Sequence, residues 1–415
     1  MCVRSVLLCA AFATGVAGTA FGQGQAPLSL HEALLEARRA NPELIALQHQ
    51  ADSVRTAVPA SGFLEPPMIE GQIWGWPVTT LNPARTQMYM FTGEQALPGK
   101  GKRAARERVA TDDARVAEAQ VAVRARAIYA EITQAYAELF IARATADLFA
   151  QQTPLVRATV EVASIRYTAG QSGQYDTVKS LVELSRLGVD AIDWQQRAQL
   201  AELQLNVLMG RSPGTPVPPL APAESLVTDA AETERIALAS HPELAMVQTT
   251  IEREEAELAR IRGERSPDYV VGGGYMLQPG TAGAWTARAG ITWPNAPWSR
   301  GRLTTEIAAQ ETRVEAARTQ RNALELTIRR DIRQAAIKLD AARERVRLLE
   351  TTVLPNLTQA VDVAIAAYQS NRGVYTDLLD SQRLLLTTRM DLIAAQTDVQ
   401  RAAADLELIR VGSEN

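Results

Sequence analysis

The chain repeats itself. Asn41-Pro42-Glu43-Leu44 returns 200 residues later as His241-Pro242-Glu243-Leu244, in a chain of 415 residues. Other landmarks recur at nearly the same spacing. Gly101-Lys102 matches Gly301-Arg302, Pro154 matches Pro355, Tyr167 matches Tyr368, and Gly173 and Tyr175 match Gly373 and Tyr375. A period this long is not the unit of a short solenoid. It implies one duplicated unit, with copies over 28–227 and 228–412, and both copies must fit a single pseudo-symmetric object.

Residues 1–22 read as a cleaved secretory signal. Arg4 supplies the positive start, Val6 to Phe21 is apolar or small, and Gly18 and Ala20 flank a cleavage site. The only cysteines, Cys2 and Cys9, fall inside this segment, so the mature chain is expected to have no disulfide and no thiolate metal site. Cys9 sits too early in the apolar stretch for a lipidation cysteine. The formal net charge is −4, which argues against nucleic acid as a partner. No later apolar run is long enough for a membrane helix, but a transmembrane strand needs only about ten alternating residues.

Most of the mature chain is rich in Ala, Leu, Glu, Arg and Gln, the strong helix formers. The spacing predicts long helices over 101–167 and 302–368, each about 100 Å long at 1.5 Å per residue. Pro154 and Pro355 should kink or end them. Return helices are expected over 176–208 and 377–409, with shorter helices over about 30–59 and 232–264 and a Pro/Gly loop over 210–222. Two short helices stacked end to end would match one long helix, so that each copy holds a hairpin, a long helix and a pair of stacked short helices.

One segment in each copy breaks the helical pattern, 68–97 and 269–293, and each reads as two strands joined by a turn. Trp285, Ala287, Ala289, Ile291 and Trp293 alternate with Thr286, Arg288, Gly290 and Thr292. This is the dyad pattern of a strand with one apolar and one polar face. Trp74, Trp76, Trp285, Trp293 and Trp298 lie in or beside these strands, where tryptophan suits a membrane–water interface. An ordinary hairpin in a soluble core would also accept them. Four strands cannot close a membrane barrel, and open edges are not tolerated in lipid, so the strands should be shared between subunits.

At this point the chain resembles the TolC-like outer-membrane efflux proteins. The resemblance rests on the duplicated unit, the Asn-Pro-Glu-Leu helix start, the hairpins, the long helices, and a Tyr-to-Gly turn followed by Asp176 or Asp377. Gly93-Glu-Gln-Ala-Leu-Pro-Gly-Lys-Gly-Lys-Arg103 looks most like the heavy-metal branch, of the cobalt–zinc–cadmium and copper–silver kind. The resemblance implies a mainly α fold with a small β part. It implies a homotrimer whose subunits each give four strands to a 12-stranded barrel in the outer membrane of a Gram-negative bacterium. The helices would form a hollow periplasmic tunnel, and the partners would be a periplasmic adaptor, an inner-membrane pump and outer-membrane lipid. Some close relatives carry a lipidated cysteine at the mature N-terminus; here anchoring would rest on the barrel alone.

No catalytic constellation is apparent and no cofactor is expected. His31, His49 and His241 have no second ligand at metal spacing. Met68, Met88 and Met90 suggest soft-metal binding, but Met88 and Met90 share a strand face, which fits lipid-facing or core side chains. The turns hold the best candidates. Asp176, Asp377 and Asp380 begin the return helices; in a trimer each would form a ring of carboxylates able to select cations at a gate. Capping a helix start is the plainer role for an aspartate there. The turns themselves, Gly170, Ser172 and Gly173 with Asn371, Arg372 and Gly373, are the expected adaptor-docking points. Lys100, Lys102, Arg103, Arg106 and Arg108, and in the second copy Arg300 and Arg302, stand at helix N-termini against the dipole. Anionic headgroups or plain solvation would compensate them.

The leading expectation is a passive exit duct of a tripartite efflux system, for heavy-metal cations. A drug-efflux or type I secretion duct of the same fold, and a soluble periplasmic coiled-coil protein, are the alternatives.

Overall fold

The computed structural model describes residues 26–80, 82, 85–221 and 229–410. The expected signal over 1–22, the stretch 222–228 at the join of the copies, and residues 411–412 lie outside them.

Each copy opens with two short helices. In the first, α1 (Leu30–Ala40) is capped by Ser29: its hydroxyl accepts from the Glu32 amide at 3.2 Å, while the Glu32 carboxylate accepts from the Ser29 amide at 2.9 Å. Asn41 then breaks the helix and starts the next, α2 (Pro42–Ala57), by accepting from the Glu43 and Leu44 amides. In the second copy α5 (Ala230–Ser240) and α6 (Pro242–Gly263) meet in the same way at His241. The repeated Asn/His-Pro-Glu-Leu motif is therefore a helix joint. Single helices over 30–59 and 232–264 were the expectation. The proline rigidly extends the residue before it, and each helix is broken there.

After a 3₁₀ turn at Val58–Gly62, the first hairpin runs through β1 (Met68–Trp74) and β2 (Met88–Leu97). The chain then enters α3 (Lys102–Thr168), 67 residues in one helix, and returns through α4 (Gln174–Leu208). The second copy repeats this with β3 (Tyr269–Leu277), β4 (Ala284–Ile291), α7 (Arg300–Leu348), α8 (Leu354–Gln369) and α9 (Tyr375–Arg410).

The two prolines act differently. α3 runs on through Pro154 and does not end there. Ahead of Pro355 the second copy inserts a π-helical turn, Leu349–Val353, which leaves the proline in the first turn of α8, where its missing N–H costs nothing.

The short helices stack within each copy, as expected. The Asn41 amide donates to the Leu208 carbonyl at 2.8 Å, so α2 meets the end of α4 within the same copy. Gly210 (φ 75°) makes this possible, since a Cβ there would lie 2.2 Å from the Ala40 carbonyl oxygen. Likewise α6 meets the end of α9: His241, Glu243 and Ile409 line one small cavity.

The core carries the period as clearly as the motifs do. Ile128, Ile132 and Leu139 of α3 pack with Ala37 and Leu205, while Ile328, Ile332 and Leu339 of α7 pack with Ala237 and Leu406. Each such leucine or isoleucine contributes about 1.5–3 kcal/mol on burial. Between the cores, Tyr136 reaches the Leu28 and Ala221 carbonyls, and Arg143 donates to those of Val217 and Pro218, strapping the loop after α4 onto α3.

The four strands form one antiparallel sheet in the order β1-β2-β3-β4. Its register sorts the side chains. Ile69, Ile73, Phe91, Tyr275, Trp285 and Ile291 share one face; Glu70, Gln72, Thr92, Glu94, Thr286 and Arg288 share the other. Among the described residues, β1 and β4 each pair on one side only.

Candidate functional site: the turn end and the sheet

The end of the molecule far from the sheet is built from two matching helix stops. Both long helices close with a left-handed residue: Gly170 (φ 72°) in the first copy and Asn371 (φ 62°) in the second. The Gln171 amide donates to the Arg166 carbonyl at 2.8 Å and the Arg372 amide to the Ala367 carbonyl at 2.9 Å, the same wide bond that seals a helix C-terminus. Asparagine is the side-chain-bearing residue that tolerates this conformation best.

The two copies are tied together here. Tyr368 is almost fully buried, stacks under the Arg166 guanidinium at 4.2 Å, and meets Tyr375 edge-on at 5.6 Å. Its hydroxyl donates to Asp176 at 3.5 Å, and Arg166 donates to the Asn371 side chain at 2.5 Å. Burial and then the Asp176 charge hold the Tyr368 phenol above its ordinary pKa. One step further along, Arg383 of α9 forms a two-pronged ion pair with Glu183 of α4; its Nε lies 3.0 Å from Glu183 Oε1. Above this pair is a groove of about 380 Å³ between the α3–α4 and α8–α9 pairs, lined by Leu155, Leu187, Val361, Asp362, Leu386 and Arg389 among others.

The three aspartates do not come together. Asp176 is half-buried and turned onto Tyr368, whereas Asp377 and Asp380 are exposed. Of the turn residues, Gly170, Gly173, Asn371 and Arg372 are exposed, and Ser172 and Gly373 are half-buried. Sequence reasoning missed Arg166, Tyr368, Glu183 and Arg383 as the residues that lock this end. A signal was available: Glu183 and Arg383 carry opposite charges one repeat period apart.

At the other end, the cations were expected to meet headgroups or solvent. Lys102 meets neither. It is 3% exposed and sits between Asp268 at 2.8 Å and Glu264 at 2.9 Å, while Asp268 also accepts from the Gly99 amide. This knot joins the exit of the first hairpin to the entrance of the second. Arg302 remains exposed, paired with Glu306 one turn on.

The tryptophans divide. Trp285 lies on the apolar face against Tyr275, 4.9 Å between rings, and Trp293 and Trp298 stack edge-on at 5.8 Å beside the helix end of the sheet. Trp76 is in the β1–β2 turn and donates to the Thr80 carbonyl. Trp74 pairs with Met88 on the polar face, opposite in side to Trp285. Met88 and Met90 share that polar face, half-buried, so of the two expected placements the lipid-facing one does not hold.

Among the described residues no helix is long and apolar enough to cross a membrane, and no group of three or more His, Cys, Asp or Glu is gathered for a metal ion.

Residues 234–410 match the family model described as outer membrane efflux protein. The chain is similar to the cobalt-zinc-cadmium resistance protein CzcC of Cupriavidus metallidurans, with 23% identity over 92% of this chain and 90% of that protein. Among solved structures it is similar to CusC (TM-score 0.78, 15% identity, 92% of this chain and 91% of that one). It is also similar to the outer-membrane channel OprN (TM-score 0.76, 16% identity, 92% and 90%). The outer membrane protein VceC of Vibrio cholerae matches with a TM-score of 0.74, 18% identity, and coverage of 92% and 95%.

Proposed function

We propose that this chain, of which residues 234–410 match the outer membrane efflux protein family model, is the outer-membrane exit duct of a tripartite efflux system for heavy-metal cations. The observation that carries the duct is the sheet: one apolar face, one polar face, and two unpaired edges, set at the end of helices about 100 Å long. Lipid does not tolerate a free strand edge. Three copies joined β4 to β1 would close a barrel of twelve strands around a polar lumen. A periplasmic adaptor and an inner-membrane pump complete the system. The metal cargo rests on the similarity to the cobalt-zinc-cadmium resistance protein.

The adaptor meets the exposed turns, and Asp377 and Asp380, exposed at the start of α9, supply the carboxylate rings of the gate. Asp176 serves the lock through Tyr368 and not the ring.

Restoring the gene to a deletion strain that keeps its pump and adaptor tests the reading. Recovery of growth on zinc, cobalt, cadmium, copper or silver salts is expected; recovery on drugs alone would replace the metal reading with a drug duct. Asp377→Ala with Asp380→Ala is expected to weaken cation selectivity in single-channel recordings, and unchanged selectivity removes the gate. Ser172→Cys and Arg372→Cys should cross-link to the adaptor.

A further inference from the structure

The polar face of the sheet contains a group of side chains that a water-filled pore does not call for. Met90 of β2 and Met276 of β3 are directly opposite each other, and Met88 lies two residues along β2 on the same face, opposite Trp74. All three methionines are half-buried. Directly opposed Cβ atoms are about 4.5–5.5 Å apart, and next-but-one residues on a strand about 7 Å. Methionine's unbranched side chain spans such gaps easily. The trio sits at the turn end of the hairpins, away from the helices. Lumen-facing positions in a membrane barrel are polar as a rule, so three clustered thioethers there need a reason.

Their surroundings supply one. The nearest carboxylate on this face, Glu70, lies opposite Thr92, two pairs nearer the helices than the Gln72–Met90 pair. Glu94, the next on β2, is already paired with Arg288. Hard divalent cations prefer oxygen ligands such as these, whereas thioethers are uncharged, polarizable and select soft monovalent ions. Of the four methionines on this face, Met68 stands alone at the helix end opposite Glu94, and the other three gather at the mouth beyond the carboxylates.

We propose that Met88, Met90 and Met276 form a thioether site for soft monovalent cations, of the copper(I) and silver(I) class, at the outer mouth of the lumen. This deepens the metal-duct reading and rests on it for the placement of the polar face toward the lumen. Three copies would set three such sites around the mouth. Each binds weakly enough to hand its ion on, as conduction requires. The cargo that this duct handles then includes soft monovalent ions and not only the divalent ions in the name of its relative.

The test uses the full mature protein, purified as its oligomer in chloride-free detergent buffer, with the methionine methyl groups labelled with ¹³C. Silver(I) nitrate should move the methyl signals of Met88, Met90 and Met276, assigned by Met→Leu variants one at a time, and leave those of Met68, Met209, Met246 and Met390 in place. Zinc(II) should move none. Silver retained per chain should fall at least about tenfold in the triple Met→Leu variant. Equal retention in wild type and variant, or shifts spread evenly over all methionines, overturns the site. If the triple variant fails to assemble, Met276→Leu alone decides: silver must lose its effect on the Met90 signal. The metal-growth assay separates the two readings. A triple variant that binds as much silver as wild type, in a duct that restores metal resistance, sinks the site alone. A silver-binding trio in a duct that restores no metal resistance sinks the export reading alone.

Discussion

His241 does for the second copy what Asn41 does for the first, but with a group that titrates. Its neutral Nδ1 accepts from the Glu243 amide at 3.3 Å and is 3% exposed as a residue. Burial, and then the Arg126 guanidinium, push the imidazole from 6.5 to about 4, with Asp331 opposing. The unfolded chain takes up a proton below about 6.5 and the folded chain not until about 4, so across that window the unfolded state binds more protons and stability falls as the pH drops. His241→Asn keeps a capping oxygen and removes the proton. It is expected to abolish a loss on the order of 2–3 kcal/mol between pH 7 and pH 4.5, read as a smaller drop in Tm. Lys102 shows the opposite economy. Lys102→Met leaves Asp268 and Glu264 without their cation. Both carboxylates are about one-third exposed, so the cost should fall toward the low end of the about 3–5 kcal/mol typical of a broken buried pair. Urea unfolding of the purified protein measures it.

The sheet and the helix stops show how far each element was legible in advance. Strand alternation around Trp285 gave the correct faces because period 2 is local information. The face of the methionines was not legible, because it depends on register across β1–β2 and β2–β3, which only pairing sets. The turns were readable from Gly170 and Asn371, whose chemistry is local. The locks were not, because Arg166, Tyr368, Glu183 and Arg383 meet only after two copies pack. The break at Asn41 was visible as a helix start and missed as a helix end. Glycine in β3 is equally specific: a Cβ on Gly274 would lie 2.4 Å from the Phe91 carbonyl oxygen, which is fixed backbone. Gly274→Val is therefore expected to part β2 from β3 and to abolish oligomer assembly in detergent, seen by native electrophoresis, while leaving the far-ultraviolet helical signal nearly unchanged.

At the scale of the whole molecule the duplication places two helix pairs side by side at the turn end, and the Glu183–Arg383 pair holds them together. Arg383→Glu sets two carboxylates against each other and should raise single-channel conductance; adding Glu183→Arg restores the pair with its signs exchanged and should return conductance toward wild type. Failure of the double variant to recover would mean that the pair does not set the aperture. The helix joints bear on the same motion. α3 is an unbroken shaft, whereas its companions α2 and α4 are separate pieces that meet at Asn41 and Leu208. α7 runs on into α8 through the single π-helical turn Leu349–Val353. A jointed beam beside a continuous one transmits compression but little torque. In the proposed trimer the Asn41 and His241 joints, level with Ile132 and Ile332, make a collar, below which the tip pivots as a lever. Dilating the tip then leaves the strand register above untwisted, so the duct opens at one end while its seal in the lipid stays under no load.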